Sequence, residues 1–398
     1  MFADPTLERA LLVHEAFTRP HVHTPHARAA AAGRGPARLR IAVIAPSRYP
    51  ISQPFAGGLE AHTWTLAHHL TARGHRVTTF AAPGSDPALG LRELDLDLSG
   101  FTGSSRRDVS MTPELVMAEH HAYLGVLLRL VHSHGGEFDV VHNNSLHHLP
   151  VAMAPALSCP LVTTLHTPPF PLLESALRSG AVIAPQRAPT CCAVSAHTAA
   201  AWRPVLGTVP VVRNGVDTST WVAGPGGGGA VWTGRIVPEK GLDHAIAAAR
   251  GAGVPLRIAG PVLDAGYYDG VVRPLLGMDV EHVGHLTHPE LVELVGSADV
   301  AIASPRWDEP YGLVVAEALA CGTPVAAYAR GGVPEVLTPL CGRLAESGDV
   351  AALGAAVAAA ARLSRSAARA RAVSYCSVGR MIDDYEGLYT GALARSAA

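Results

Sequence analysis

Two doubly wound α/β domains facing each other across a cleft are the fold class this sequence predicts, on three observations. Short apolar runs alternate with helical patterns twice along the chain, from 39 to about 205 and again from 231 onward. Alternation of that kind builds parallel sheets flanked by helices. A polar, glycine-rich join, Asn214-Gly215-Val216-Asp217 followed by 224–229, separates the two series. The length, 398 residues, exceeds what one hydrophobic core ordinarily supports.

The first series opens with the continuous apolar run 39–45, suited to a central strand buried on both faces. Gly57-Gly58 follows, then a helix over 59–73 stopped by Gly74. The run 76–81 reads as the next strand and 84–112 as polar and irregular. Residues 113–134 form a long helix with Pro113 near its first position. Strand 139–142, helix 145–157, strands 161–165 and 190–194, and helix 196–203 complete this series. The second series runs through strand 231–233, helix 242–252, strand 256–259, a loop at 260–266, strand 280–283 and helix 289–297. It then reaches strand 298–303, a helix from Gly312 stopped by Cys321-Gly322, strand 324–327, and helices at 350–363 and 380–395. Residues 1–38 read as a mobile N-terminal extension. The domains span 39–205 and 206–375, and 376–398 is expected to be a helix crossing back to the first domain.

Composition narrows the function. A formal net charge of −2 argues against a nucleic-acid partner. No apolar run is long enough to span a bilayer. The first residues lack a basic start followed by an apolar core, so secretion is not expected. The six cysteines, at 159, 191, 192, 321, 341 and 376, have no metal or redox spacing and read as small buried hydrophobes in the cytoplasm. The 21 histidines show no HExxH, and their adjacent pairs point to different sides of any helix, so no metal site is predicted. The 31 basic residues include a single lysine, Lys240. Where arginine serves as the generic cation, a retained lysine points to a need for its compact ammonium.

Four constellations follow strand ends, where open parallel sheets bind ligands. Gly57-Gly58 lets backbone N–H groups approach an anion without a Cβ in the way; a plain tight turn is the alternative. GxGxxG is absent, which removes the main support for hydride transfer. In the run Gly234-Arg235-Ile236-Val237-Pro238-Glu239-Lys240-Gly241, Arg235 lies at a strand end and Lys240 where the next helix begins, a clamp suited to a diphosphate. His142-Asn143-Asn144-Ser145 and His166-Thr167 follow apolar strands; His142 serves either a ligand hydroxyl or a helix cap, whereas His166, before Pro168-Pro169, is read as functional.

The fourth constellation is the stretch 301–337, strand, loop, helix and strand, with Glu309 in the loop and Glu317 on the helix. The free N–H groups of Tyr311, Gly312, Leu313 and Val314 would point from the helix start toward an anion. Glu317 has almost no polar company in its helix, so it should face a specific partner. Either carboxylate alone would pass for a solvated charge. Carboxylates beside an anion site suit a ligand that is anionic at one end and rich in hydroxyls nearby.

Taken together, GGLE after the first strand, GR-x4-KG at 234–241, VxRNGVD at 212–217, VGHL at 283–286 and E-x7-E within EPYGLVVAEALACGTPV resemble the retaining nucleotide-sugar glycosyltransferases of family 4, over residues 39–390. The resemblance implies the GT-B fold and transfer of a sugar from a nucleoside diphosphate donor, with UDP favoured, to an acceptor hydroxyl without a cofactor or metal. Arg235 and Lys240 would neutralise the diphosphate, Glu309 would hold the donor sugar, and Glu317 the ribose. Gly57 and Gly58 would close over the phosphates, His166 would lie beside the transferred sugar, and Pro261, Val262, His285 and Leu286 would border the base. Glu60, His142 and Asn144 are the acceptor-side candidates, with the acceptor against 84–112 and 166–187 and a soluble metabolite favoured. A sugar-nucleotide epimerase of the same fold and a non-catalytic sugar-nucleotide-binding protein are the rival readings. A pyridoxal-phosphate phosphorylase would need the lysine that the clamp already uses.

Overall fold

The computed structural model describes residues 38–99, 114–133 and 136–397. Residues 1–37 of the predicted extension and residues 100–112 of the predicted irregular segment 84–112 lie outside the described residues. The first six-stranded sheet comprises β1 (Arg40–Ile44), β2 (Arg76–Ala81), β3 (Leu91–Glu93), β4 (Val140–Asn143), β5 (Leu161–Leu165) and β6 (Thr190–Ala193), in the order β3-β2-β1-β4-β5-β6. The second comprises β7 (Ala230–Thr233), β8 (Leu256–Ala259), β9 (Val280–Gly284), β10 (Val300–Ala303), β11 (Val325–Tyr328) and β12 (Gly342–Ala345), in the order β12-β11-β10-β7-β8-β9. Each sheet is wholly parallel. Counted from its own first strand, each has the same order, so the fold class is that of two Rossmann-like α/β halves. In both, the winding reverses beside the first strand, leaving a crevice outside β1/β4 and β7/β10.

The strands are apolar on both faces because helices cover both. On β1, Ile41 and Val43 pack with Leu66 and Leu70 of α1 (Gly58–Ala72). Ala42 and Ile44 face Tyr123 and Leu127 of α2 (Glu114–His132). α3 (Pro171–Ile183) and α4 (Ala196–Leu206) complete this half. The second half carries α5 (Leu242–Gly251), α6 (His288–Ser297), α7 (Leu313–Ala320), α8 (Val350–Ala360) and α9 (Arg365–Tyr375). The last helix, α10 (Val378–Ala397), leaves the second half and buries Met381, Ile382, Tyr385 and Tyr389 against the first sheet. Arg73 at the end of α1 grips it through Asp383 and Glu386 at 2.6 and 2.9 Å.

Several elements differ from expectation, each for a local reason. The helix expected over 145–157 is two short pieces, Leu149–Ala152 and a 3-10 turn at Ala154–Ala156; Pro150 and Pro155 remove the N–H groups a continuous helix needs. Within 84–112, Leu91–Glu93 pairs with β2 as an edge strand, too short for periodicity to reveal. The 166–187 segment contains α3 rather than only loop. β12 and α9 were not anticipated; α9 is mostly Ala, Arg and Ser and lacks an apolar stripe.

Candidate active site

A cleft of about 1190 Å³ runs between the strand ends of the two halves. On the side of the second half, three adjacent strand ends carry glycines at positive φ: Gly234 (151°), Gly260 (147°) and Gly284 (93°). A Cβ at Gly260 would lie 1.8 Å from the Gly234 carbonyl, so only glycine permits this approach. Gly234 and Gly260 keep the floor low, and Arg235 and Lys240 line the cleft beside them.

Lys240 ends a 3-10 turn, Pro238–Lys240, and Gly241 in left-handed conformation passes the chain to α5. Its Nζ donates to Glu309 Oε2 at 2.6 Å, and the Trp307 indole N–H donates to the same oxygen at 3.0 Å. The ammonium also lies 5.3 Å from the Trp307 ring centre, within cation–π range. Both bonds fall on Oε2, and Oε1 has no donor among the described residues. The loop bearing Glu309 rests on Gly331 and Gly332, where an added Cβ would lie 2.1 Å from the Glu309 carbonyl and 2.5 Å from that of Pro310. Gly332 N–H donates to the Glu309 carbonyl at 2.7 Å.

α7 starts at Gly312 in left-handed conformation, and Leu313 and Val314 line the cleft with first-turn N–H groups that have no acceptor among the described residues. Glu317, one turn on, borders the cleft but is so enclosed that burial pushes its carboxyl up to about 7. Gly57 and Gly58 face this wall from the first half. A Cβ on Gly57 would lie 3.0 Å from Glu60 Oε2 and 3.5 Å from Arg235 Cδ, and one on Gly58 would lie 3.7 Å from Leu313. Glu60 is buried, which raises its carboxyl, while Arg235 and Arg48 pull it back down. His285 donates to the Phe55 carbonyl at 3.0 Å across the cleft mouth. At the opposite side, the Glu335 carboxylate accepts the N–H groups of Ala196 and His197 at 2.9 and 2.7 Å, capping α4 from the other half.

His166 lines the cleft, and a hydrogen-bond chain fixes its tautomer. The Thr63 hydroxyl donates to the Leu59 carbonyl and accepts from Asn144 Nδ2, so Asn144 Oδ1 turns to His166 Nε2 at 2.9 Å. Nε2 therefore carries the proton and Nδ1 is an acceptor. Burial, then the neighbouring His62 and His142, hold the imidazole well below its usual pKa, so it is neutral.

Three sequence candidates fall elsewhere. His142 is fully buried and outside the cleft: its Nδ1 meets Tyr389 Oη at 2.6 Å and its Nε2 meets Thr164 Oγ1 at 2.9 Å. On β4, Val140 and His142 share the face covered by α10 while Val141 faces α2, as two-residue strand periodicity requires. Asn144 is also fully buried and positions His166 instead of meeting an acceptor. Val262 bridges Ile236 by backbone, and its neighbour Pro261, not Val262, lines the cleft with His285 and Leu286. Trp307 and Gly331-Gly332 were missed. The glycine pair after β11 repeats the signal read at Gly57-Gly58. Among the described residues no group of three His, Cys, Asp or Glu is arranged to hold a metal ion, and no helix is long and apolar enough to cross a membrane.

Two α/β halves thus enclose a cationic, carboxylate-edged cleft. Residues 56–220 match the family described as Glycosyltransferase Family 4 and residues 230–375 that described as Glycosyl transferases group 1. A glycogen synthase of Mycobacterium tuberculosis is 31% identical over 370 residues, covering 80% of this chain and 87% of that protein. A D-inositol 3-phosphate glycosyltransferase of Xylanimonas cellulosilytica is 30% identical over 407 residues, covering 86% and 93%. Among solved structures, AviGT4, a glycosyltransferase involved in avilamycin A biosynthesis, superposes with a TM-score of 0.66 at 24% identity, over 89% of this chain and 98% of that one. The Anabaena HepE structure in complex with UDP and glucose gives 0.67 at 19%, over 89% and 100%. The chain belongs to the family 4-like glycosyltransferases of GT-B fold.

Proposed function

We propose that this glycosyltransferase is retaining and metal-independent, taking its sugar from a nucleoside diphosphate donor, UDP-sugar first, and passing it to an acceptor hydroxyl. The observation that carries this reading is the convergence of Arg235, Lys240 and the free N–H groups of Leu313 and Val314 on one cleft wall, with Glu309 beside them. Cations and amide dipoles fixed before the reaction stabilise charge that develops on a leaving diphosphate. UDP is placed first because the Anabaena neighbour was crystallised with UDP and with UDP-glucose.

In the proposed step the acceptor oxygen bonds to the anomeric carbon on the face from which the phosphate departs. The bond from that carbon to the β-phosphate oxygen breaks with its electron pair, and the hydroxyl proton passes to the departing oxygen. No side chain becomes glycosylated. Glu309 Oε1 and His166 Nδ1 accept hydrogen bonds from donor-sugar hydroxyls, and Glu317 accepts from the ribose. Lys240 is held by Glu309; a diphosphate would draw the ammonium away and release the carboxylate toward the sugar.

A thermal-shift panel of UDP, GDP, ADP and TDP tests the donor, since a ligand of the native state raises its stability by mass action. UDP should give the largest shift, Lys240→Ala should remove it, and EDTA should leave turnover unchanged. Proton NMR of the product should show the donor's anomeric configuration. Full transfer by Lys240→Ala or Glu309→Ala, or an inverted product, would overturn the reading.

A further inference from the structure

The acceptor side of the cleft identifies a substrate class. Glu60, Trp64 and His68 recur every fourth residue on α1 and line the cleft as one stripe. Residues four apart on a helix are about 6 Å apart along its axis, so the stripe runs about 12 Å outward from the Gly57–Arg235 contact. That length fits a monosaccharide carrying one aromatic or aliphatic substituent.

Trp64 is the fixed centre of the stripe. Its indole N–H donates to Asp86 Oδ2 at 2.8 Å. One side of the ring stacks on His68, with ring centres 4.6 Å apart and planes 9° apart, and Phe55 lies 6.0 Å away. Leu96 and Leu115 also line the cleft, and Leu115 is 83% exposed despite its size. An immobilised ring among apolar side chains binds a flat apolar face at little entropic cost.

The charges around this platform oppose an anion. Among the described residues of the first half that line the cleft, the only permanent cation is the exposed Arg48, against the carboxylates of Glu60 and Glu119. Glu119 accepts from the Ser47 hydroxyl at 2.7 Å, which fixes its carboxylate at the cleft wall. Arg235 and Lys240 lie on the opposite half, where the donor phosphates would use them. Among the described residues, a phosphorylated acceptor on this wall would face Glu60 and Glu119 with Arg48 as the one first-half cation, and such juxtaposition selects against wrong partners.

The geometry points to an acceptor that is an uncharged hydroxyl compound with an apolar face seated on Trp64, and not a phosphorylated polyol. This inference rests on the glycosyltransferase reading of the same cleft and specifies its acceptor. The acceptor oxygen bonds to the donor's anomeric carbon as the carbon–phosphate oxygen bond breaks, and its proton leaves with the diphosphate.

The test uses the full chain with UDP-glucose and a matched pair of acceptors, 4-nitrophenyl β-glucoside and its 6-phosphate, with products read by mass spectrometry. The neutral glucoside should be glycosylated at least about ten-fold faster than the phosphate, the scale of one unfavourable charge contact. Trp64→Ala should raise the KM for the neutral acceptor about ten-fold, with Trp64→Phe within about two-fold of the parent, because the ring supplies the contact. Glu119→Lys should shift the phosphate-to-neutral rate ratio upward about ten-fold by replacing a repelling charge with an attracting one. A phosphate used as well as the neutral glucoside, a KM unmoved in Trp64→Ala, or a ratio unmoved in Glu119→Lys overturns the inference. The UDP thermal shift read on the same samples reports the donor site separately. Its absence counts against the underlying reading, whereas a normal shift with preference for the phosphate refutes the acceptor class alone.

Discussion

The two halves share one strand order but use their strand ends differently. In the second half, β7 and β10 lie side by side and release Arg235, Lys240, Trp307 and Glu309 into the cleft over a floor of glycines. In the first half, β4 and β5 deliver His142, Asn143, Asn144 and Thr164, all buried; His142 and Thr164 bond to each other and to the tyrosines of α10, Asn143 accepts from Ser145, and Asn144 bonds to Thr63 and His166. From the ends of these two strands it is Leu146, after β4, and His166 and Thr167, after β5, that reach the cleft. Equivalent positions in one topology thus serve a ligand on one side and internal cohesion on the other. What separates them is cover: α10 lies over the first sheet and binds its polar groups.

Substitutions at matched strand ends can break this contrast. The largest effect is expected at Lys240, where alanine should lower kcat/KM by about 10²–10³, the scale of losing one preorganised charge contact, while the melting temperature stays near that of the parent. His142→Ala should do the reverse, costing about 1–3 kcal/mol of stability through the unpaired Tyr389 hydroxyl, while Thr164 keeps its bond to Tyr385, with the UDP-induced shift retained. Denaturant titration and calorimetry separate the two; a turnover defect without a stability defect in His142→Ala would erase the distinction. Gly332→Ala is next. Its Cβ has no room beside the Pro310 carbonyl, so the Glu309 loop must move and donor KM should rise by about ten-fold or more, the cost of roughly 1 Å misplacement.

A smaller effect belongs to Glu317, and its sign follows from burial. Burial holds its carboxyl protonated up to about 7 instead of the ordinary 4.5. The folded state therefore keeps a proton that the unfolded chain releases between those values, and stability falls as pH rises through that window. In the proposed role an ionised Glu317 accepts from the ribose hydroxyls, so UDP affinity should rise through pH 7 while intrinsic stability declines. Glu317→Gln should flatten both profiles; profiles identical to the parent would mean that another group titrates. The smallest change is expected from Trp307→Phe, which keeps the ring and removes one hydrogen bond to Glu309. A loss of about three- to ten-fold in kcat, from one hydrogen bond to a charged group, would be read in steady-state kinetics.

Much of this was legible from residue order. Apolar runs between turn residues gave the parallel strands, and glycines with adjacent charges after strands marked the donor wall. Arg235, Lys240, Glu309 and Glu317 line one cleft with His285, Leu286, Gly57 and Gly58. Less legible were residues whose role depends on what covers them. His142 and His166 both follow apolar strands and look alike in sequence, yet α10, more than two hundred residues later, buries one and leaves the other exposed to the cleft. Trp64 carried no signal because an aromatic on an amphipathic helix reads as core.

The sequence by itself determined the two alternating α/β series, the turns that only glycine permits, and the placing of a lone lysine where a helix begins. These are local consequences of periodicity and backbone sterics. Tertiary structure alone decided that Lys240 and Glu309, 69 positions apart, share a 2.6 Å contact, and that the Gly57 turn meets Arg235 from the other half. Contacts of that kind depend on where the sheet winding reverses and on how the halves pack, which no stretch of either sequence series encodes alone.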